Sequence, residues 1–219
     1  NLKLRNKIIR VSCDGVGATG KSTGAKMISK KYKLKFLSSG LLYRYVSYLL
    51  IKNKPKNKIN FLKKKFKSLK YQSLNKINLH TPEISKKTSS IAKINKIRQI
   101  LKIFQIKFSS KFKSCCIEGR DISTKIMPHS DVKFFFKCDL NIAAQRRYKE
   151  LKKEDNKIKF KDVKKALRIR NINDLKRRFS PLLKHRDAIE IDTGKLNKQA
   201  MLVKMSKHID EIIKKKYGN

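Results

Sequence analysis

Residues 14–23 read Asp-Gly-Val-Gly-Ala-Thr-Gly-Lys-Ser-Thr, which leaves four residues between Gly15 and Gly20-Lys21-Ser22. A run of this kind can cradle phosphate. The glycines let consecutive backbone N–H groups turn inward, and the helix that follows presents its positive N-terminus to the same point. Gly15, Val16, Gly17, Ala18, Thr19, Gly20, Lys21, Ser22 and Thr23 are therefore the candidate binding loop for a nucleoside triphosphate. Lys21 is placed to reach the β- and γ-phosphates, and Ser22 offers its hydroxyl to Mg²⁺. Lys21 is expected to face solvent when no nucleotide is bound. A glycine-rich loop alone is a weak signal, but this one follows an apolar, β-prone run, 7–13, and precedes a helix-forming stretch, 25–32.

Such a loop must sit at the end of a buried strand. Short β-prone runs occur at 7–13, 35–37, 114–118, 132–137 and 188–191, separated by longer helical stretches. The alternation implies an α/β domain with a central parallel five-stranded sheet flanked by helices. Apolar residues follow one another in these runs without strict alternation, as expected for strands covered on both faces. No comparable strand occurs between Leu41 and Arg98. That stretch reads as helix-like over 41–51, then Lys/Asn-rich, then turn-like around His80-Thr81-Pro82, and is taken as an insertion. A helix is expected over 141–151, leading into a polar loop over 152–160. No internal repeat and no Pro/Gly/Ser linker divides the chain.

The 219 residues carry 58 Lys and Arg against 16 Asp and Glu, a formal charge of +42, which attracts polyanions whatever the fold. The lysines are spread over the whole chain among Ile, Asn and Leu, residues of A/T-rich codons, with no recognition-helix or aromatic-platform pattern. A solvated basic surface in a lysine-favouring genome explains this, and no specific nucleic-acid partner is expected. No window approaches the ~20 consecutive apolar residues of a membrane span. No apolar leader precedes the first strand, so a cytoplasmic location and no membrane partner are expected. Cys13, Cys115, Cys116 and Cys138 lack ligand spacing and read as reduced, mostly buried thiols, and the four scattered histidines imply no metal.

Four further motifs stand in order along the chain: Ser38-Ser39-Gly40-Leu41-Leu42-Tyr43-Arg44, Glu118-Gly119-Arg120-Asp121-Ile122-Ser123-Thr124, Arg146-Arg147, and Arg170-Asn171-Ile172-Asn173-Asp174-Leu175-Lys176-Arg177 before Pro181-Leu182. With the phosphate loop they make the chain resemble the bacterial cytidylate (CMP) kinases, of the nucleoside monophosphate kinase family of P-loop kinases, from about Ile8 to Thr193. The resemblance implies a P-loop kinase core over 1–40, 99–145 and 163–219, an NMP-binding insertion over 41–98 and a short lid over about 146–162. It implies transfer of the γ-phosphate of Mg·ATP to CMP or dCMP, with ATP and Mg²⁺ as cofactors, in a protein expected to be a monomer.

Each motif offers chemistry that suits this reaction. A monophosphate dianion needs planar, fixed cations, and by resemblance Arg44 and Arg120 hold it. Cytosine presents an amine donor beside two acceptors, which Asp121 and Arg98 can read; by resemblance they do so with Ser89. Spacings of four and three place Arg170, Asp174 and Arg177 on one helical face, where an ion-pair ladder is the plain alternative. By resemblance Asp174 and Arg170 hold the ribose, Ser39 lies near it, and Arg177 reaches toward the acceptor. Arg146 and Arg147 begin the lid and can swing over the γ-phosphate, although a basic patch on a helix is nearly as good a reading. The phosphate loop departs from the family pattern, which has Pro where Val16 stands and Gly where Ala18 stands. Two rival readings remain: another P-loop kinase with UMP or AMP as acceptor, and a nucleic-acid-binding NTPase suggested by the charge.

Overall fold

The computed structural model describes residues 8–153 and 155–218. Lys7, the expected first residue of the first strand, and Glu154, within the expected polar loop, lie outside them. The chain divides into two compact units: one runs up to Phe36 and resumes at Lys113, and the other is Leu37–Phe112.

The first unit is built on the strands β1 (Arg10–Gly15), β3 (Cys115–Glu118), β4 (Val132–Lys137) and β5 (Ile189–Asp192), with β2 (Lys35–Ser38) leaving it at the sheet edge. The strand order is β2-β3-β1-β4-β5, and the pairs β1 with β3, β1 with β4, and β4 with β5 are parallel. Five runs were expected and five strands form among the described residues, the first of them spanning Arg10–Gly15. Alternate side chains sort to opposite faces of the sheet. Val11 and Cys13 of β1, with Phe134 and Phe136 of β4, point into one core against Ala25 and Ile28 of α1 (Lys21–Lys31) and Met201, Met205, Ile209 and Ile213 of α8 (Lys198–Tyr217). Each fully buried phenylalanine contributes roughly 1.5–3 kcal/mol by leaving water. Ser12 and Asp14 occupy the alternate positions of β1 and are buried too, so both satisfy their polar atoms internally: Ser12 bonds Ser130 at 2.8 Å. The thiols of Cys13, Cys115 and Cys116 lie in this interior, and burial pushes the Cys115 thiol up to about 12. Helices α6 (Leu140–Lys152) and α7 (Phe160–Lys176) pack through Ala143, Ala144 and Leu167, and Tyr148 meets Phe160 edge-on at 5.9 Å.

After the last residues of β2, the second unit is built of helices joined by short connections. It holds α2 (Ser39–Asn53), α3 (Lys58–Lys67), a 3₁₀ turn (Tyr71–Lys76), α4 (Pro82–Ile91) and α5 (Asn95–Lys111). The Lys/Asn-rich stretch hides α3, whose Leu62 and Phe66 are buried and whose N-terminus is capped by Asn57 accepting from the Asn60 amide. His80-Thr81-Pro82 reads as a turn in the sequence and is instead a helix start. Thr81 caps α4 by accepting from the Ile84 amide, and Pro82 sits in the first helical turn where its missing N–H costs nothing. No helix among the described residues is long and apolar enough to cross a membrane.

Candidate active site

β1 ends in Gly15 with φ +147°, where a Cβ would lie 2.2 Å from the Phe136 carbonyl oxygen. Only glycine lets β1 pass so close to β4 and turn into the loop. Gly20 closes the loop at φ +71° and opens α1, with the Gly24 amide donating to its carbonyl at 3.0 Å. Between them Ala18 takes φ +58°, the left-handed region that glycine would fill without strain, at a cost of about 1–2 kcal/mol. The glycine displaced from position 18 thus has a physical consequence. The loop is held by Thr19 Oγ1 donating to Val16 O at 3.1 Å and by the Gly17 amide donating to Asn171 Oδ1 of α7 at 3.1 Å.

Lys21 does not face solvent as expected. It is 6% exposed, and its Nζ donates to Glu118 Oε2 at 2.6 Å, while Ser22 Oγ donates to Glu118 Oε1 at 3.0 Å. The reason is the parallel pairing of β1 with β3, which aligns Cys13 with Glu118 and so brings that carboxylate to the loop. A lysine buried without a counter-charge would be prohibitively costly, and here the counter-charge comes from 97 residues away. Burial pulls the Lys21 ammonium below its usual range, Glu118 opposes this, and Arg120 adds to it. Asp14 is fully buried and accepts from the Ile122 amide at 2.8 Å, the Ser123 amide at 2.7 Å and the Ser123 hydroxyl at 2.6 Å. Burial raises its carboxyl despite those bonds. It fixes the turn that carries Glu118, Arg120 and Asp121 to the strand that carries the phosphate loop.

Arg120 Nε donates to Asp174 Oδ2 at 2.8 Å, and Arg177 stands 3.4 Å from Asp174 and 3.8 Å from Asp121. These four residues form one half-buried to buried cluster. Arg177 lies just past the helical face on which the spacing puts it: α7 ends at Lys176, and Arg177 turns to extended backbone at φ −64°, ψ 140°, donating to the Ser180 carbonyl. Arg170 is exposed on α7. Burial pushes the Asp174 carboxyl up, but Arg120, Arg170 and Arg177 outweigh it and hold it below the ordinary aspartate range. Its contribution to stability is therefore complete above the unfolded-state value and is lost as pH falls through the depressed one. Asp174→Asn should lower stability at pH 7 by about 2 kcal/mol, the worth of a charge-assisted bond. The deficit should shrink as pH falls below the ordinary aspartate range and through the depressed value, as read from urea midpoints, and a deficit unchanged by pH would remove this ion cluster from the acid response.

Arg146 is fastened to the core: its guanidinium donates to Thr193 Oγ1 at 3.0 Å and to Thr193 O at 2.7 Å. Thr193 Oγ1 in turn lies 2.8 Å from the Thr19 carbonyl of the phosphate loop. Arg147 points outward to Glu150 at 2.9 Å. Both belong to α6.

Of the acceptor-side residues, Ser39, Arg44, Ser89 and Arg98 belong to the helical unit. Ser38 caps α2, so Ser39 and Arg44 lie in its first two turns, Ser39 buried. Arg44 donates to Leu79 O at 3.0 Å and to Ser85 Oγ of α4 at 2.8 Å. Arg98 of α5 is buried, donates to Ala92 O at 3.4 Å and stands 5.7 Å from the centre of the Tyr43 ring. Ser89 is exposed on α4.

The sequence reading assigned no role to Asp14, Glu118, Asn171 or Thr193. Asp14 and Glu118 do carry a signal, since both are carboxylates at the carboxyl ends of buried strands, where open α/β sheets bind ligands. Asn171 and Thr193 carry none, because their partners lie 154 and 174 residues away. Among the described residues no cluster of His, Cys, Asp and Glu is arranged to hold a metal on its own. Ser22 and Glu118 do offer the two hard oxygen donors that suit Mg²⁺, an ion that takes most of its remaining ligands from water and phosphate.

Solved structures share the fold: a shikimate kinase from Bacteroides thetaiotaomicron superposes with a TM-score of 0.51 over 93% of this chain and 99% of that one, at 8% identity. At the sequence level, a cytidylate kinase of Clostridium tetani is 35% identical over 96% of this chain and 97% of its own length. One from Fusobacterium nucleatum is 34% identical over 93% and 98% respectively. The family model for cytidylate kinase matches residues 11–211, a span that includes the phosphate loop, Glu118, Arg120, Asp121, Arg146 and Asp174, and the chain belongs to the cytidylate kinase family.

Proposed function

We propose that this protein transfers the γ-phosphoryl group of Mg·ATP to CMP or dCMP, giving CDP or dCDP. The observation that carries the reading is the cluster in which buried Lys21 and exposed Ser22 share the Glu118 carboxylate beside half-buried Arg120 and Asp174. Phosphoryl transfer needs positioned charge rather than a covalent protein nucleophile, and this cluster supplies it. Backbone amides of residues 15–23 cradle the phosphates, and Lys21 exchanges its bond to Glu118 for one to phosphate oxygen. Ser22 and Glu118 would hold Mg²⁺. When bound, that ion neutralises charge on the β- and γ-oxygens.

On the acceptor, Arg44 and Arg120 hold the phosphate, Asp121, Arg98 and Ser89 read the base, and Asp174, Arg170 and Ser39 hold the sugar, with Arg177 reaching toward the acceptor. Arg146 and Arg147 act on the migrating group when a lid over about 146–162 closes; the insertion over 41–98 binds the monophosphate, and 1–40, 99–145 and 163–219 form the core. The Thr193 contacts keep Arg146 next to the phosphate loop, whereas Arg147 must leave Glu150 to take part. The protein acts as a cytoplasmic monomer with no specific nucleic-acid partner. The test follows label from [γ-³²P]ATP. It should appear in CDP, with ATP turnover that CMP stimulates and RNA does not; label released only as inorganic phosphate, or turnover driven by RNA, would favour a nucleic-acid-dependent NTPase instead.

A further inference from the structure

The helical unit contains a concavity formed entirely by its own residues: an open groove of about 540 Å³ between α3, the Tyr71 turn and α5. That volume lies in the range of small-molecule sites. Its floor is aromatic and aliphatic, from Phe66, Tyr71, Ile100, Phe104, Phe108 and Phe112, and its margin carries Lys63, Lys67, Lys70, Lys107 and Lys111. The α5 residues that line it, from Ile100 to Lys111, extend about 16 Å along the helix axis.

Charge defines the ligand's head. Between Leu37 and Phe112 the only carboxylate side chain in the sequence is that of Glu83, and it does not line the groove. The five lysines therefore have no counter-charge within the groove, and a bound anion would supply it. The floor defines the tail. Phe66 meets Phe104 edge-on at 5.6 Å, and Tyr71 meets Phe108 and Phe112 edge-on at 4.9 and 5.5 Å. The rings engage one another rather than standing open as a stacking platform for bases, and the surface they leave suits methylene groups. Apart from exposed Ile103, the apolar groups are buried or half-buried among exposed lysines, unlike the protruding face with which a protein enters a bilayer.

We propose that this groove binds a free single-chain amphiphilic carboxylate, a fatty-acid anion of about a dozen carbons, the length that about 16 Å of helix accommodates. The tail lies along Ile100, Ile103, Phe104 and Phe108, and the carboxylate is held by lysines at the margin.

The test is calorimetric titration of the full chain with sodium dodecanoate below its micelle concentration. Saturable one-to-one binding is expected. Octanoate should bind at least about tenfold more weakly, because four methylenes of burial are lost, and dodecyltrimethylammonium should not saturate. Ile103 is 56% exposed, so Ile103→Asp leaves the fold intact and should weaken dodecanoate at least tenfold, as should Lys67→Glu combined with Lys107→Glu. Lys102 is exposed on α5 outside the groove, and Lys102→Glu should change affinity less than twofold. Three results would overturn the proposal: no saturable binding, an equal loss in Lys102→Glu, or binding of a twelve-nucleotide oligouridylate that Ile103→Asp abolishes while dodecanoate binding survives.

Discussion

Replacing Lys21 with Met is expected to lower kcat about 100- to 1,000-fold, the loss that follows removal of one preorganised charge contact to the transition state. The same change should also destabilise the fold, because Lys21 is buried against Glu118 at 2.6 Å and its removal strands a carboxylate in the interior. Breaking a buried pair from one side costs about 3–5 kcal/mol, equivalent to a fall of roughly 6–20 °C in Tm for a chain of this size. The two effects separate in a second variant. Combining Lys21→Met with Glu118→Gln removes the stranded charge and should recover most of the Tm while leaving activity absent. Steady-state rates and thermal melts of the two variants check this, and a single variant that melts like the parent would mean that the Lys21–Glu118 pair does not hold the loop.

The second large effect concerns the base. Asp121 is buried at the carboxyl end of β3, 3.8 Å from Arg177. In the proposed role its carboxylate would accept from the exocyclic amine of cytosine and repel the O4 of uracil. Asp121→Asn keeps the size but adds a donor, so either base can be faced. Reading a polar edge is worth several kcal/mol when the wrong partner leaves buried groups unpaired. The ratio of kcat/KM for CMP to that for UMP should therefore fall at least about tenfold, or about 1.4 kcal/mol. A preference that survives in a folded, active variant would mean that Asp121 does not read the base.

Local chemistry was legible in the sequence, and long-range pairing was not. The strands showed because a strand covered on both faces must be apolar nearly throughout, as Phe134 and Phe136 are within β4. The phosphate loop showed because its glycines are demanded by backbone geometry. By contrast, α3 was obscured since only Leu62 and Phe66 of its ten residues are buried, and lysines dilute the helical period. Thr81-Pro82 carries the signature of a turn and of a helix start equally, and only the residues after it decide. Arg177 broke the helical spacing because α7 stops one residue short of it. The solvent-facing Lys21 failed for the deepest reason: its partner is supplied by strand pairing, which no spacing within one motif encodes.

The most direct measurement is the initial rate of ADP release, in a coupled assay, with CMP, dCMP, UMP and AMP offered in turn at matched concentrations beside Mg·ATP. CMP and dCMP should each exceed UMP and AMP in kcat/KM by at least about tenfold, the margin a hydrogen-bonded base edge supplies. Equal or faster turnover with UMP or AMP, or ADP release that needs no monophosphate at all, would contradict the account.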